Sequence, residues 1–208
     1  MKNIFILILT VLVLTGCAST NIKGNYSLNS QSGKGVLISS ISVQGSYSGY
    51  SVYFQGIDNE NKGYIEFGAG TALLPIFPEG DFSHLDRKGE VFAVELPAGK
   101  YKVWRWGVAS GYAFIKPALP MSIEFEIIAG KATYIGNFDF IQTDSFGLTV
   151  TGVKVNYSDQ FKIDTGIIIN KYPNIEFSQI GKSIVDNAKY IAIGGNSNTN
   201  WDIPIVVM

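Results

Sequence analysis

The sequence predicts a mainly β fold, an antiparallel β-sandwich with a short C-terminal helix and an irregular tail. Three observations carry this expectation. Apolar and polar residues alternate with period two over several segments, and turns bearing glycine or proline separate them at short intervals. The 23 glycines and 13% aromatic share also suit strands and turns better than a helical bundle.

The segments arrive in series. Residues 36–43 are largely apolar, and residues 50–57 alternate, with Tyr50, Val52 and Phe54 on one face. Residues 63–67 follow the turn-forming Asp58-Asn59-Glu60-Asn61. Residues 68–89, rich in Gly, Pro and acidic groups, read as a long excursion. Residues 90–96 place Phe92, Val94 and Leu96 on one side, and Pro97-Ala98-Gly99 turns the chain back into 100–108 as a hairpin. Residues 122–128 alternate, with Ile123, Phe125 and Ile127 inward and Ser122, Glu124 and Glu126 outward. Ala129-Gly130-Lys131 turns the chain, and 132–140 and 147–157 complete the set. One polar face per strand implies sheets wet on their outer sides. After Tyr157 the period changes. Ser158 or Asp159 can cap a helix over 159–171, with Ile163, Ile167 and Ile168 at helical spacing, and Pro173 stops it. The apolar end, 201–208, is expected to pack as an edge strand.

The N-terminus carries a different signal. Met1-Lys2-Asn3 supplies one positive charge, and residues 4–14 form an apolar run interrupted only by Thr10. The run is shorter than the roughly 20 residues of a membrane-spanning helix. It fits the apolar core of a secretory signal. It ends Leu14-Thr15-Gly16-Cys17. This resembles the lipobox of bacterial lipoproteins, in which small residues admit an extended backbone to the signal peptidase. The resemblance implies a diacylglyceryl group on the Cys17 thiol, cleavage before Cys17, and acylation, such as a palmitate, on the freed amine. Two chains suffice for stable anchoring, at about 0.8 kcal/mol per buried methylene. Cys17 is the only cysteine, so no disulfide can form within the mature chain. No aspartate follows Cys17, which leans towards the outer membrane of a Gram-negative envelope.

The expected organisation is a signal peptide over 1–16, a lipidated flexible tether over 17–34, and one β-sandwich domain over 35–208. The tether is read from the Ser, Asn and Gly content between Ser19 and Gly33. Loss of residues 1–16 removes Lys2 alone, leaving 15 basic against 17 acidic residues and a net charge of about −2. No basic block stands out, which argues against a nucleic-acid partner.

Three pieces carry a second resemblance. They are the hairpin Gly89-Glu90-Val91-Phe92-Ala93-Val94-Glu95-Leu96-Pro97-Ala98-Gly99-Lys100-Tyr101, a second hairpin Ile128-Ala129-Gly130-Lys131-Ala132-Thr133-Tyr134-Ile135-Gly136, and the Asp159-led helix closing on Lys171-Tyr172-Pro173-Asn174. In this order they resemble envelope lipoproteins with transthyretin-like or immunoglobulin-like sandwich domains. The resemblance implies a fold and a location rather than a reaction.

Catalytic sets are thin. His84 is the only histidine, with Asp81 and Asp86 as the carboxylates that could share a metal with it. A solvated loop histidine is the expected reading, and no Gly-x-Ser-x-Gly elbow supports a serine triad. Glu124 and Glu126 share one strand face and read as solubilising rather than as a glycosidase pair. No cofactor or metal is expected, and the chain is read as a non-enzymatic binding or structural module. A hydrolase built on residues 68–89 is the alternative. Aromatic residues give the better lead. Trp104 and Trp106 are expected on one strand face with Lys102, with Tyr112 and Phe114 close behind and Tyr47, Tyr50 and Tyr53 near an earlier turn. Trp104, Trp106 and Tyr112 are the candidate ligand-binding residues, for an envelope protein or a glycan stacked on exposed rings. Core packing is the alternative for the two tryptophans.

Overall fold

The computed structural model describes residues 19–68, 80–85, 87–184 and 191–202. The signal peptide, Cys17, most of the 68–89 excursion including Asp86, and the 203–208 end lie outside the described residues.

The strands are β1 (Lys34–Gln44), β2 (Gly49–Gly56), β3 (Lys62–Phe67), β4 (Lys88–Pro97), β5 (Gly99–Ser110), β6 (Ala113–Pro117), β7 (Ile123–Ile127), β8 (Ala132–Phe146), β9 (Thr149–Ser158), β10 (Ile180–Lys182), β11 (Ile191–Ala192) and β12 (Ser197–Trp201), with one helix, α1 (Phe161–Lys171). They form two sheets. One runs β11-β9-β8-β1-β4, with β10 against the first residues of β8. The other runs β12-β6-β5-β2-β3, with β7 against the first half of β5. The sandwich and the helix follow the sequence expectation, but the two expected hairpins do not form. Strand β4 pairs with β1 in one sheet while β5 pairs with β2, β6 and β7 in the other, and β7 and β8 are split between the sheets in the same way. Both turns are therefore arches that carry the chain from one sheet to the other. The pairing is not uniformly antiparallel, because β8 lies parallel to both β1 and β10.

Alternation builds the core between the sheets. Leu37, Ile41 and Val43 of β1 meet Tyr50, Val52 and Phe54 of β2 there, with Trp106, Phe138 and Phe140 filling the centre. The ring of Phe140 meets both Tyr50 and Trp106 edge-on, at 5.3 and 6.1 Å between centroids.

The sheet containing β1 is not wet on its outer side. Nine consecutive residues of β1 are buried, the signature of a strand covered on both faces. Its outer face carries Val36, Ile38 and Tyr134, which pack under Ile168, Tyr172 and Ile175 from α1 and the turn after it. The buried stripe of α1 is Asp164, Thr165 and Ile168, while Ile163 points to solvent. The expected isoleucine face is therefore rotated, and two polar residues take the inward positions. Asp159 accepts the Phe161 amide (3.0 Å), so it supports the helix start as the sequence suggested.

The segment expected to be a free tether is docked in its described part. The Ser19 amide donates to the Tyr64 carbonyl on β3 (2.9 Å), and the Ile22 amide to the Ala93 carbonyl on β4 (2.8 Å). Asn21 accepts the Ala93 amide (2.8 Å) and donates to Glu90 (3.0 Å). Tyr26 donates to Glu95 (2.9 Å), and Ile22, Tyr26 and Leu28 pack against the outer core. Because β3 and β4 are outer strands of their sheets, this strap covers exposed edge groups on both.

Candidate functional site

The candidate site lies on the outer face of the second sheet and begins with an irregularity in β5. Tyr53 opposes Arg105, whereas the next residue, Phe54, opposes Val103. Trp104 is therefore an extra residue, a β-bulge that resets the alternation. Tyr101 and Val103 point inward before it, and Trp106 and Val108 point inward after it. The two tryptophans consequently part company. Trp104 stays 38% exposed on the outer face, while Trp106 is fully buried and donates its indole N–H to the Ile193 carbonyl (3.0 Å). The expectation of a shared face is corrected by the bulge, which period-two reasoning cannot register.

The bulge aims Arg105 across a group of rings. Its guanidinium carbon lies 4.2 Å from the Tyr53 ring centre, 4.7 Å from Trp104 and 5.6 Å from Phe114. Distances of this order place a cation on the electron-rich ring faces. Tyr53 in turn leans on Tyr64 (5.1 Å) and Trp104 (6.2 Å). Gly107 makes the close approach possible, since a Cβ there would stand 3.0 Å from Phe114 and 3.2 Å from Tyr53. The Nε of Arg105 is buried and has no hydrogen-bond partner.

Two depressions flank Trp104. A cleft of about 140 Å³ lies between Tyr53, Tyr64, Lys62, Gly63 and Trp104. A broader groove of about 530 Å³ runs past Lys102, Arg105 and Lys116 to the Pro117–Met121 connection. It exists because β6 and β7 share one side of β5 at opposite ends, at 108–110 and 99–103, and leave its middle uncovered. Four cations sit on or beside this face: Lys62, Lys102, Arg105 and Lys116. Lys102 faces Glu124 across the strands and Lys100 faces Glu126, so the glutamate pair of β7 serves a surface charge pattern as expected. Glu66 lies on the same face, bonded by Ser51 (3.3 Å), and burial pushes its carboxyl above the usual range.

Tyr112 does not join this site. It lies in the β5–β6 turn, roughly 20 Å along the strand from Trp104, although Phe114 two residues on reaches back to Arg105. At 64% exposed it belongs to an apolar tip with Phe146, Leu148 and Trp201, held by the Asp202 amide on the Tyr112 carbonyl (2.8 Å). Of the early tyrosines, Tyr50 is in the core and donates to the Ser46 carbonyl (2.6 Å), while only Tyr53 reaches the site. His84 is exposed on a short 3₁₀ turn. Asp81 is engaged elsewhere, accepting Lys171 (2.9 Å) and the Val91 amide (2.8 Å). Burial pulls the Lys171 ammonium down, but Asp81 and Glu90 outweigh it and hold its pKa above the usual value. Among the described residues no three His, Cys, Asp or Glu side chains converge as metal ligands would.

A buried polar chain escaped the sequence reading. One oxygen of Asp164 accepts both Ser40 (2.5 Å) and Tyr134 (2.7 Å), and its other oxygen has no partner. Ser40 accepts Asn137 (2.8 Å), Ser42 donates to Asn137 and Asp139, and Gln44 donates to Asp139 (3.0 Å). Burial drives the Asp164 carboxyl up to about 6, against the Ser40 and Tyr134 hydrogen bonds that pull it down. Burial and the neighbouring Asp164 raise the Tyr134 phenol as well. The chain fixes α1 on the sheet. The visible sign was Ser39-Ser40-Ile41-Ser42 within an apolar strand, matched by Asn137 and Asp139 two apart in β8.

Comparison with protein-family models, with curated proteins and with solved structures returns no match.

Proposed function

We propose that the chain is a bacterial envelope lipoprotein, anchored by lipid on Cys17, whose β-sandwich is a non-enzymatic binding or structural module. The observation that carries this reading is the apolar leader ending Leu14-Thr15-Gly16-Cys17, with the single cysteine of the chain at the cleavage point. Two further facts support it. Residues from Ser19 onward are already bonded to the domain, so the fold begins two residues after the modified cysteine. Among the described residues, His84 is exposed on its turn and Asp81 is engaged by Lys171, so these two do not form a pair. The exposed aromatic and cationic face around Trp104 is the surface offered to a partner. A stacked glycan is less favoured than the sequence suggested, because only one of the two tryptophans is available.

Labelling with an alkyne-bearing palmitate tests the anchor. Wild-type protein should take the label, fractionate with membranes and give a mature N-terminus at Cys17 by mass spectrometry. Cys17→Ser should fold alike by circular dichroism but lose label and membrane fractionation. A Cys17→Ser protein of mature size that remains in the membrane would overturn the proposal.

A further inference from the structure

A lipid anchor on a long free tether would leave the domain's orientation open. The docked strap removes that freedom. Ser19 is held by the Tyr64 carbonyl, and its hydroxyl lies 2.4 Å from where a Cβ on Gly63 would stand. Gly63 and Tyr64 both line the cleft beside Trp104. Consecutive Cα atoms are 3.8 Å apart, so Cys17 is within about 8 Å of Ser19 whatever path Ala18 takes. Ser19 is tied to the β3 edge, which borders the aromatic face. Tyr64, Tyr53 and Trp104 cross the sheet from that edge, and adjacent strands are about 4.8 Å apart, so Trp104 lies about 10 Å from the strand that holds Ser19.

We infer that the outer face around Tyr53, Tyr64, Trp104 and Arg105 rests on the bilayer that holds the Cys17 lipid, with its cations among anionic headgroups. The inference rests on lipidation of Cys17. Its composition suits the occupant. Tyr and Trp favour the water–hydrocarbon boundary, where a ring can bury its body and keep its polar edge wet. Lys62, Lys102, Arg105 and Lys116 bring four positive charges to one side of the sheet. Against them stand Glu124, across from Lys102, Glu126, across from the further cation Lys100, and Glu66, which Ser51 bonds. Arg105 lines the groove, and a guanidinium is a planar fork suited to phosphate oxygens. The apolar tip at Tyr112, Phe146, Leu148 and Trp201 belongs to the far end of the strands, outside the patch around Trp104 and away from the edge that carries Ser19.

The test uses the full lipidated protein in vesicles of phosphatidylcholine with a minority of phosphatidylglycerol, the acyl chains brominated near the headgroup. Mass spectrometry of the N-terminus and flotation with the vesicles come first. Protein that lacks the lipid and does not float overturns the anchor, and the orientation with it. For protein that floats, bromine should quench tryptophan emission in wild type and in Trp201→Phe, and most of that quenching should vanish in Trp104→Phe. A nitroxide on Lys116→Cys, the only free thiol once Cys17 is acylated, should collide with lipid-dissolved oxygen more than one on Leu148→Cys. Floating protein without quenching, or with quenching carried by Trp201, overturns the orientation while leaving the anchor intact. Trp104 emission that ignores brominated lipid but shifts with added peptidoglycan fragments overturns it in favour of a glycan.

Discussion

Asp164 offers the sharpest stability experiment. Its residue is fully buried, one carboxylate oxygen takes both Ser40 and Tyr134, and the other takes nothing. Burial raises its pKa from 3.8 to about 6. For an acid raised on folding, the native state favours the protonated form. The associated stability is fully present below about pH 3.8 and is lost as pH rises through about 6. About two units at 1.36 kcal/mol each make the loss about 3 kcal/mol by neutral pH. Asp164→Asn keeps the volume and a carbonyl oxygen for Ser40 and Tyr134, and cannot ionise. The stability difference, variant minus wild type, should therefore shift by about 3 kcal/mol in the variant's favour between about pH 3 and about pH 7. Urea unfolding followed by tryptophan emission at a series of pH values measures it. Taking the difference cancels contributions common to both proteins, such as that of Glu95, whose pKa Lys34 lowers. A difference that stays flat with pH, or moves in favour of wild type as pH rises, would refute the claim that burial of Asp164 favours its neutral form.

Two further outcomes follow from the bulge and the strap. Trp106→Ala should cost about 3–5 kcal/mol, because it empties a fully buried site and orphans the Ile193 carbonyl, whereas Trp104→Ala should cost less than about 1.5 kcal/mol. Parallel denaturant titrations decide this, and equal losses would contradict the assignment of the two rings to opposite faces. Asn21→Ala should remove the side-chain bond to the Ala93 amide and speed hydrogen exchange there by roughly fivefold, as expected for about 1 kcal/mol of local stability. Unchanged exchange at Ala93 would mean that Asn21 does not hold the strap.

The fold was legible where one period holds over a whole element. The alternation of Ile123, Phe125 and Ile127 placed β7 directly, and Pro97-Ala98-Gly99 marked the end of β4, although the turn crosses to the other sheet instead of closing a hairpin. What failed were places where a single residue breaks the period. The extra residue at Trp104 turns Trp106 from a surface neighbour into a core residue, and the partner register that reveals it is not local information. The helix misled for a related reason. Its three isoleucines suggest an inward face, but only Ile168 is fully buried and Asp164 and Thr165 share that face; the partners of Asp164 are more than 20 residues away in β1 and β8. A buried carboxylate is legible only through those partners. Of the candidate site, Trp104 was named from sequence, but Arg105, Tyr64 and Lys62 come to it only through strand pairing.

The strap connects these points. Ser, Asn and Gly are what a flexible linker contains, and also what an edge-covering segment needs, since an asparagine amide can stand in for a peptide group. Asn21 does this, accepting the Ala93 amide while its neighbour Ile22 donates to the Ala93 carbonyl. Ile22, Tyr26 and Leu28 are what separate the two cases, because a solvated linker gains nothing from burying them. The consequence is mechanical. A free chain of some 16 residues would span about 22 Å on average and let the domain tumble above the bilayer. With residues from Ser19 bonded to β3 and β4, only Ala18 separates a lipidated Cys17 from a rigid sandwich. The same bonds that shield the edge strands then fix which face meets the membrane, so loosening the strap by Asn21→Ala should affect both edge protection and Trp104 quenching.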